Sequence, residues 1–156
     1  MKLLIRAYNG QGRGSGFIKR FTFGSYSHVS FVFEIGKNVE EIESIQGKGV
    51  IVHEPHTHED KNFDEYEAPI SDEQILDAHS LAKSFIGAKY DWGGVYGFLI
   101  RRNRHSENKW FCSEFIAYIL YKIGYSLSRR EPYRETPTTV ADSLRIIKLV
   151  GNIGHA

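Results

Sequence analysis

Residues 27–54 read SHVSFVFEIGKNVEEIESIQGKGVIVHE, and this stretch decides the fold class. In its first part every second residue is apolar, which is the side-chain period of a β-strand. These apolar residues are Val29, Phe31, Phe33 and Ile35. Two short turns that contain glycine divide the stretch, so it predicts three strands, over residues 27–35, 39–45 and 50–54. Strands joined by turns this short predict an antiparallel meander.

The flanking sequence predicts one strand before the meander and helices after it. Leu3–Ala7 has the composition of a short strand, whereas His53–Glu67 is polar and predicts no regular element. Ser71 and Gln74 have the spacing of a capping box, so a helix is expected to begin there and to end at Gly87.

Two further helices are predicted in the second half. The first runs from Cys112 to Ile123 with an apolar stripe. Thr136 and Pro137 suit the N-cap and first turn of the second, which is expected to end near Leu144, and residues 146–150 predict a last strand. A strand meander with helices grouped after it predicts an α+β fold, in which an antiparallel meander packs against helices.

Length and composition indicate a single globular domain spanning residues 1–156. The chain is 41% hydrophobic and 25% charged, which is ordinary for a globular protein. Its net charge of +1 argues against a protein that coats nucleic acid, so no nucleic-acid partner is expected. The apolar runs are too short for a transmembrane segment, and the start MKLLIRAYNG is too brief to predict a signal peptide.

Cys112 is the first candidate for chemistry because it is the only thiol. A single cysteine excludes an internal disulfide and a zinc site made of several thiolates. At the start of a helix, the positive end of the helix dipole favours the nucleophilic thiolate. The alternative is that Cys112 is a small buried hydrophobic residue, as most free cysteines are.

A thiolate nucleophile needs a base, and a third group usually orients that base. A base should be held rigidly on a regular element, which favours His28 on the first predicted strand and His79 on the first predicted helix among the seven histidines. Glu41 and Glu43 lie on the strand that the turn pairs with that of His28, so either carboxylate could bind His28 Nδ1. The alternative for His28 is a histidine on the sheet face that binds a backbone carbonyl group. The alternative for Glu41 and Glu43 is that they lie on a solvated strand face.

Two charged stretches are weaker candidates. His53–Asp60, HEPHTHED, has enough ligands for a metal ion, but it has no second ligand cluster, and a solvated loop is the favoured interpretation. Arg101–His105, RRNRH, could bind a phosphate or carboxylate, but a solvent-exposed loop is again favoured. No metal ion and no organic cofactor is therefore predicted.

The order of short motifs resembles a known family. The strings SYSHVSFVFE, IESIQGKGV, GAKYDWGG, FCSEFIAYILYKIGYSL and ETPTTVADSL follow one another between Gly14 and Val150. This order is similar to that of the circularly permuted branch of the NlpC-type papain-like cysteine peptidases and amidases. In that branch the histidine strand precedes the cysteine helix. The resemblance implies a papain-like core.

The resemblance also implies roles for three residues. Cys112 matches the nucleophile, His28 the base, and Glu43 the third polar member, because Glu43 stands just before a small residue and the Gly-x-Gly turn; Glu41 is the fallback. The implied activity is a cysteine-dependent hydrolase that cleaves an amide or ester bond, with peptides (among them cell-wall peptides), small amides or acyl lipids as substrates.

The chain also departs from the family pattern. Wall endopeptidases tend to have an aspartate before the cysteine, where it is associated with a free peptide amine, and here Phe111 stands at that place. FCSEF after a histidine strand also resembles the lecithin:retinol acyltransferase-like proteins. A lipid acyltransferase or thioesterase, or a binding module without catalysis on the same fold, therefore remains an alternative.

Overall fold

A five-stranded antiparallel sheet forms the centre of the fold in a computed structural model, which describes residues 1–9, 25–57, 61–91, 109–129 and 131–153. The strand order is β4-β3-β2-β1-β5. The strands are β1 (Lys2–Tyr8), β2 (His28–Ile35), β3 (Asn38–Ile45), β4 (Gly49–His53) and β5 (Phe63–Glu67). The predicted meander is therefore confirmed as β2, β3 and β4, and β1 lies beside β2 as its antiparallel neighbour.

Three helices and a short second strand pair complete the described chain. The helices are α1 (Asp72–Ser84), α2 (Cys112–Lys122) and α3 (Pro137–Ile153), with a 3-10 turn at Pro132–Arg134. The short strands β6 (Lys89–Tyr90) and β7 (Lys109–Trp110) pair in parallel. Strands followed by helices make this an α+β protein, as the sequence predicts.

The sheet has one apolar face and one polar face because its strands alternate. Phe31 pairs with Ile42, and both are fully buried. The Phe31 ring contacts Phe115 of α2, with 6.1 Å between the centroids, so this face packs against the helix. Glu41 pairs with Val32 of β2 and with His53 of β4, so these three side chains lie on the opposite face. Because side chains alternate along a strand, that face also carries the residues two positions before and after each of them.

Helix capping follows the sequence. The Ser71 side chain accepts a hydrogen bond from the Gln74 amide, and the Gln74 side chain accepts one from the Ser71 amide, so the predicted capping box is confirmed. Thr136 accepts a hydrogen bond from the Thr139 amide at the start of α3, which confirms it as the cap residue.

Two predictions at the level of elements are wrong. Residues 146–150 form no strand, because α3 passes Leu144 without a break and ends at Ile153. The polar stretch 53–67 is not irregular throughout: His53 ends β4, in agreement with the strand predicted over 50–54, but Phe63–Glu67 forms the unpredicted edge strand β5 on β1. The sequence of β5, FDEYE, is mostly polar and therefore did not predict a strand. An edge strand tolerates such a sequence because polar residues are common where one strand face meets solvent.

The turn between β3 and β4 depends on Gly49. Its φ is +80°, and a Cβ there would lie 2.0 Å from the carbonyl oxygen of Ala88. That same oxygen accepts a hydrogen bond from the Val50 amide. Gly49 therefore lets the β3–β4 hairpin pack directly against the chain that follows α1.

We expect Gly49→Ala to lower the free energy of unfolding by about 2–3 kcal/mol, because it adds a backbone clash to the left-handed conformation. Gly47→Ala is the matched control: its φ is +83°, but nothing lies within 4 Å of the added Cβ, so about 1 kcal/mol is expected. Urea unfolding measures both. Equal losses in the two variants would contradict the close approach at Ala88.

Candidate active site

The start of α2 is held at one end of the sheet by hydrogen bonds on both sides. Ser44 of β3 donates a hydrogen bond to the carbonyl oxygen of Trp110, at 2.6 Å. Ser113 donates one to the carbonyl oxygen of Glu135, just after the 3-10 turn. These contacts fix the residue between them, Cys112, which is the first residue of α2 and is fully buried.

The structure brings together the three residues predicted for the site. The Cys112 thiol lies close enough to the His28 ring to raise the pKa of the imidazole, through its charge and through a hydrogen bond. On its other side, the His28 ring forms a hydrogen bond between Nε2 and Glu43 Oε2. His28 begins β2 and Cys112 begins α2, so the contact forms where two elements start. The His28 side chain is 23% exposed, whereas Glu43 is 1% exposed.

The ring nitrogen that meets the carboxylate differs from the prediction. The sequence places Nδ1 beside a glutamate, but Glu43 contacts Nε2. Glu43 lies on the neighbouring strand, so the outer nitrogen of the ring reaches it. Nδ1 is then the ring nitrogen available to the Cys112 thiol.

The electrostatics of the site favour charge on both His28 and Glu43. Burial would lower the pKa of His28, but the charge and hydrogen bond of Cys112, together with Glu43, outweigh it and raise this pKa to about 10. Burial would raise the pKa of Glu43, but hydrogen bonds from His28 and His53 hold it well below its usual range. Glu43 is therefore an ionised acceptor at neutral pH.

Glu41, the fallback for the third member, is engaged elsewhere. Its Oε1 accepts hydrogen bonds from the hydroxyl groups of Tyr8 and Ser30, the second at 2.6 Å. Its Oε2 accepts from Arg6 Nη1 at 3.2 Å and from the His56 amide at 2.9 Å. With four donors on two oxygens, Glu41 belongs to a buried polar network that joins β1, β2 and β3.

Sequence reasoning missed the role of His53 at this site. His53 Nε2 lies 2.6 Å from Glu43 Oε1, so one carboxylate binds two histidines. His56 Nε2 is farther from the same oxygen, at 3.8 Å, and its ring packs on that of His53. The β3–β4 register carries the missing signal, since it pairs His53 with Glu41, two residues from Glu43.

The ligand atoms of Glu41, His53 and His56 lie within 4.8 Å of one another, which is close enough to consider a metal ion. The group is poorly suited to one. Both oxygens of Glu41 already accept hydrogen bonds, one of them from the cationic Arg6. A metal would have to displace these donors and would lie beside a guanidinium charge.

The remaining candidates lie apart from the site or outside the described residues. His79 Nε2 lies 2.8 Å from Glu40 Oε2 and its ring packs against Phe33, so it has a structural contact that joins α1 to β3. His58, His105, His155 and the stretch Arg101–His105 fall outside the described residues.

No protein-family model matches this chain, and no curated protein matches it. Among the helices of the described residues, none has both the length and the apolar character needed to cross a membrane.

Proposed function

We propose that the protein is a cysteine-dependent hydrolase that cleaves an amide or ester bond. One observation carries this proposal: His28 is hydrogen-bonded to Glu43 and lies close enough to the Cys112 thiol for that thiol to raise its pKa. A nucleophile, a base and a group that orients the base are the three parts that covalent catalysis by a thiol requires. Here a buried thiol, a partly exposed imidazole and a buried carboxylate lie in that order.

The proposed reaction has two halves. The Cys112 thiolate attacks the carbonyl carbon, and the leaving amine or alcohol takes a proton from His28, which leaves a thioester on Cys112. Water then gives a proton to His28 and adds its hydroxide to the thioester, so the acid is released and the thiolate–imidazolium pair is restored. Glu43 keeps the imidazole oriented and stabilises its charged form through both halves.

The start of α2 supports the charge that develops on the carbonyl oxygen. Phe111 is the cap residue, and its side chain makes no capping hydrogen bond. The first amides of a helix have no partner within the helix, so the Cys112 amide is suited to an oxyanion beside its own thiol. An apolar cap residue keeps a competing side-chain acceptor out of this position.

The resemblance to the permuted NlpC-type papain-like peptidases and amidases supports the same proposal. The meander with His28 precedes the helix with Cys112, which is the order of that branch. Peptides, small amides and acyl lipids are the proposed substrates. Phe111 is 6% exposed and its ring contacts Tyr90, so the position before the nucleophile is apolar and offers no carboxylate to a substrate amine.

Alkylation of the single thiol tests the pairing of Cys112 with His28. Although Cys112 is fully buried, we expect iodoacetamide to label it fast at pH 6–7, because the His28 imidazolium stabilises the thiolate. His28→Ala should slow labelling by about tenfold or more. Mass spectrometry gives the rate, and no other cysteine competes.

His79→Ala is the matched control, since it removes a histidine whose partner is Glu40. It should label like the wild type. Slow labelling of the wild type that His28→Ala leaves unchanged would mean that Cys112 is a structural thiol, and a binding module without catalysis would then be the better interpretation.

A further inference from the structure

The charge of His53 follows from the atoms around its ring. Nδ1 lies 2.6 Å from the carbonyl oxygen of Glu54, and Nε2 lies 2.6 Å from Glu43 Oε1. A carbonyl oxygen and an ionised carboxylate only accept hydrogen bonds, so both ring nitrogens of His53 must donate. The hydrogen bond to Glu43 correspondingly raises the pKa of His53, in spite of burial. His53 is therefore an imidazolium.

Within the part of the chain that the structure describes, His53 supplies the second hydrogen bond of Glu43. Its Oε2 binds His28 and its Oε1 binds His53, and the side chain is almost fully buried. His56 Nε2, at 3.8 Å, is beyond hydrogen-bond distance of Oε1. Without His53, Oε1 would be a buried charged oxygen with too few donors, and the carboxylate would gain by turning away from His28.

We propose that His53 is a positioning residue of the hydrolase: its imidazolium holds the carboxylate of Glu43 against His28 and shares the charge of that carboxylate. This inference rests on the proposed function and adds a fourth member, Cys112–His28–Glu43–His53. His53 acts through Glu43. The Glu54 carbonyl fixes its ring from the far side, so the imidazolium is itself held in place.

Charge sharing has a consequence for His28. Among the described residues, the groups that face His28 are Cys112 of α2, Glu43 of β3 and the ring of Tyr8 of β1. The groups that face His53 are Glu43, Glu41 and His56. Because the positive charge of His53 opposes that of His28 across one carboxylate, its removal lets Glu43 stabilise the His28 imidazolium more strongly. The pH at which His28 loses its proton should then rise.

Iodoacetate labelling of Cys112 across pH 5–11 tests the inference. The reagent is an anion, so its rate falls when the His28 imidazolium loses its proton, and this fall is the upper limb of the pH profile. His53→Ala should slow labelling at pH 7 by about tenfold, the size typical of losing a partner behind a reacting group. His53→Gln keeps an N–H for Glu43 without the charge, so it should restore the rate and move the upper limb to higher pH.

His56→Gln is the matched control, because His56 lies beside His53 but makes no hydrogen bond to Glu43. Burial lowers the pKa of His56, so this control removes no charge near neutral pH. It should leave both the rate and the upper limb unchanged.

The outcomes separate the two proposals. If His28→Ala slows labelling but His53→Ala does not, the role of His53 is overturned and the hydrolase stands. The role of His53 is also overturned if His53→Gln labels as slowly as His53→Ala, or if its upper limb stays at the wild-type pH, since a structural residue would not move that limb. If His28→Ala has no effect, the hydrolase proposal itself fails.

Discussion

Cys112→Ser is expected to lower the turnover of an activated ester such as 4-nitrophenyl acetate by roughly a thousandfold or more. The serine hydroxyl lies in the same place, but it does not ionise as a thiol does, so His28 and Glu43 have no thiolate to stabilise. Hydrolysis followed by absorbance, at equal concentrations of folded protein, measures the loss. Such a loss would identify Cys112 as the nucleophile.

The fold should survive this change. The neighbours of Cys112 in the core include Phe115, Ile116 and Ile119, which are fully buried and unaffected by the loss of sulfur. The thermal midpoint of Cys112→Ser should therefore stay close to that of the wild type, and it serves as the control. Ester turnover that persists in Cys112→Ser with a normal midpoint would show that the reaction does not use this thiol.

The meander could be predicted from the sequence because its signals are local. Alternating apolar residues in β2 and glycine at both turns determine three strands and two turns within the 26 residues from His28 to His53. The start of α1 is local for the same reason, since its capping box spans Ser71–Gln74. Local composition alone gave a wrong prediction for residues 146–150. This run has strand-forming residues, but it continues a helix that Thr136 and Pro137 begin.

The sequence predicted which residues form the site, but only in part which hydrogen bonds join them. Glu41 and Glu43 are two residues apart on one face of β3, so the sequence alone gives each of them access to His28. The choice between them is made by distant residues: Tyr8 and Arg6 of β1 bind Glu41 and leave Glu43 for the histidines. His53 escaped notice because its place beside Glu43 depends on the β3–β4 register.

Substitutions of the two buried glutamates should have different effects on the stability of the fold and on the reactivity of Cys112. All four partners of Glu41 are donors, and among them Arg6 is a cation whose side chain is only 11% exposed. In Glu41→Gln an amide N–H₂ replaces one accepting oxygen, and the ion pair is lost. Arg6 keeps its ion pair with Glu65 at 2.8 Å, so the cost is that of disrupting the buried hydrogen bonds of Glu41, about 1–3 kcal/mol, which is still a large part of the stability of a domain this size.

Glu43→Gln should behave in the opposite way. Its partners His28 and His53 are both about one-quarter exposed, so they can bind water when the carboxylate charge is gone. We expect a smaller loss in urea unfolding than for Glu41→Gln, together with slower labelling of Cys112 by iodoacetamide at pH 7, because the His28 imidazolium loses its counter-charge. Glu41→Gln, compared under conditions where it is folded, should label at nearly the wild-type rate. If Glu41→Gln instead slowed labelling while Glu43→Gln did not, Glu41 would be the residue that orients His28.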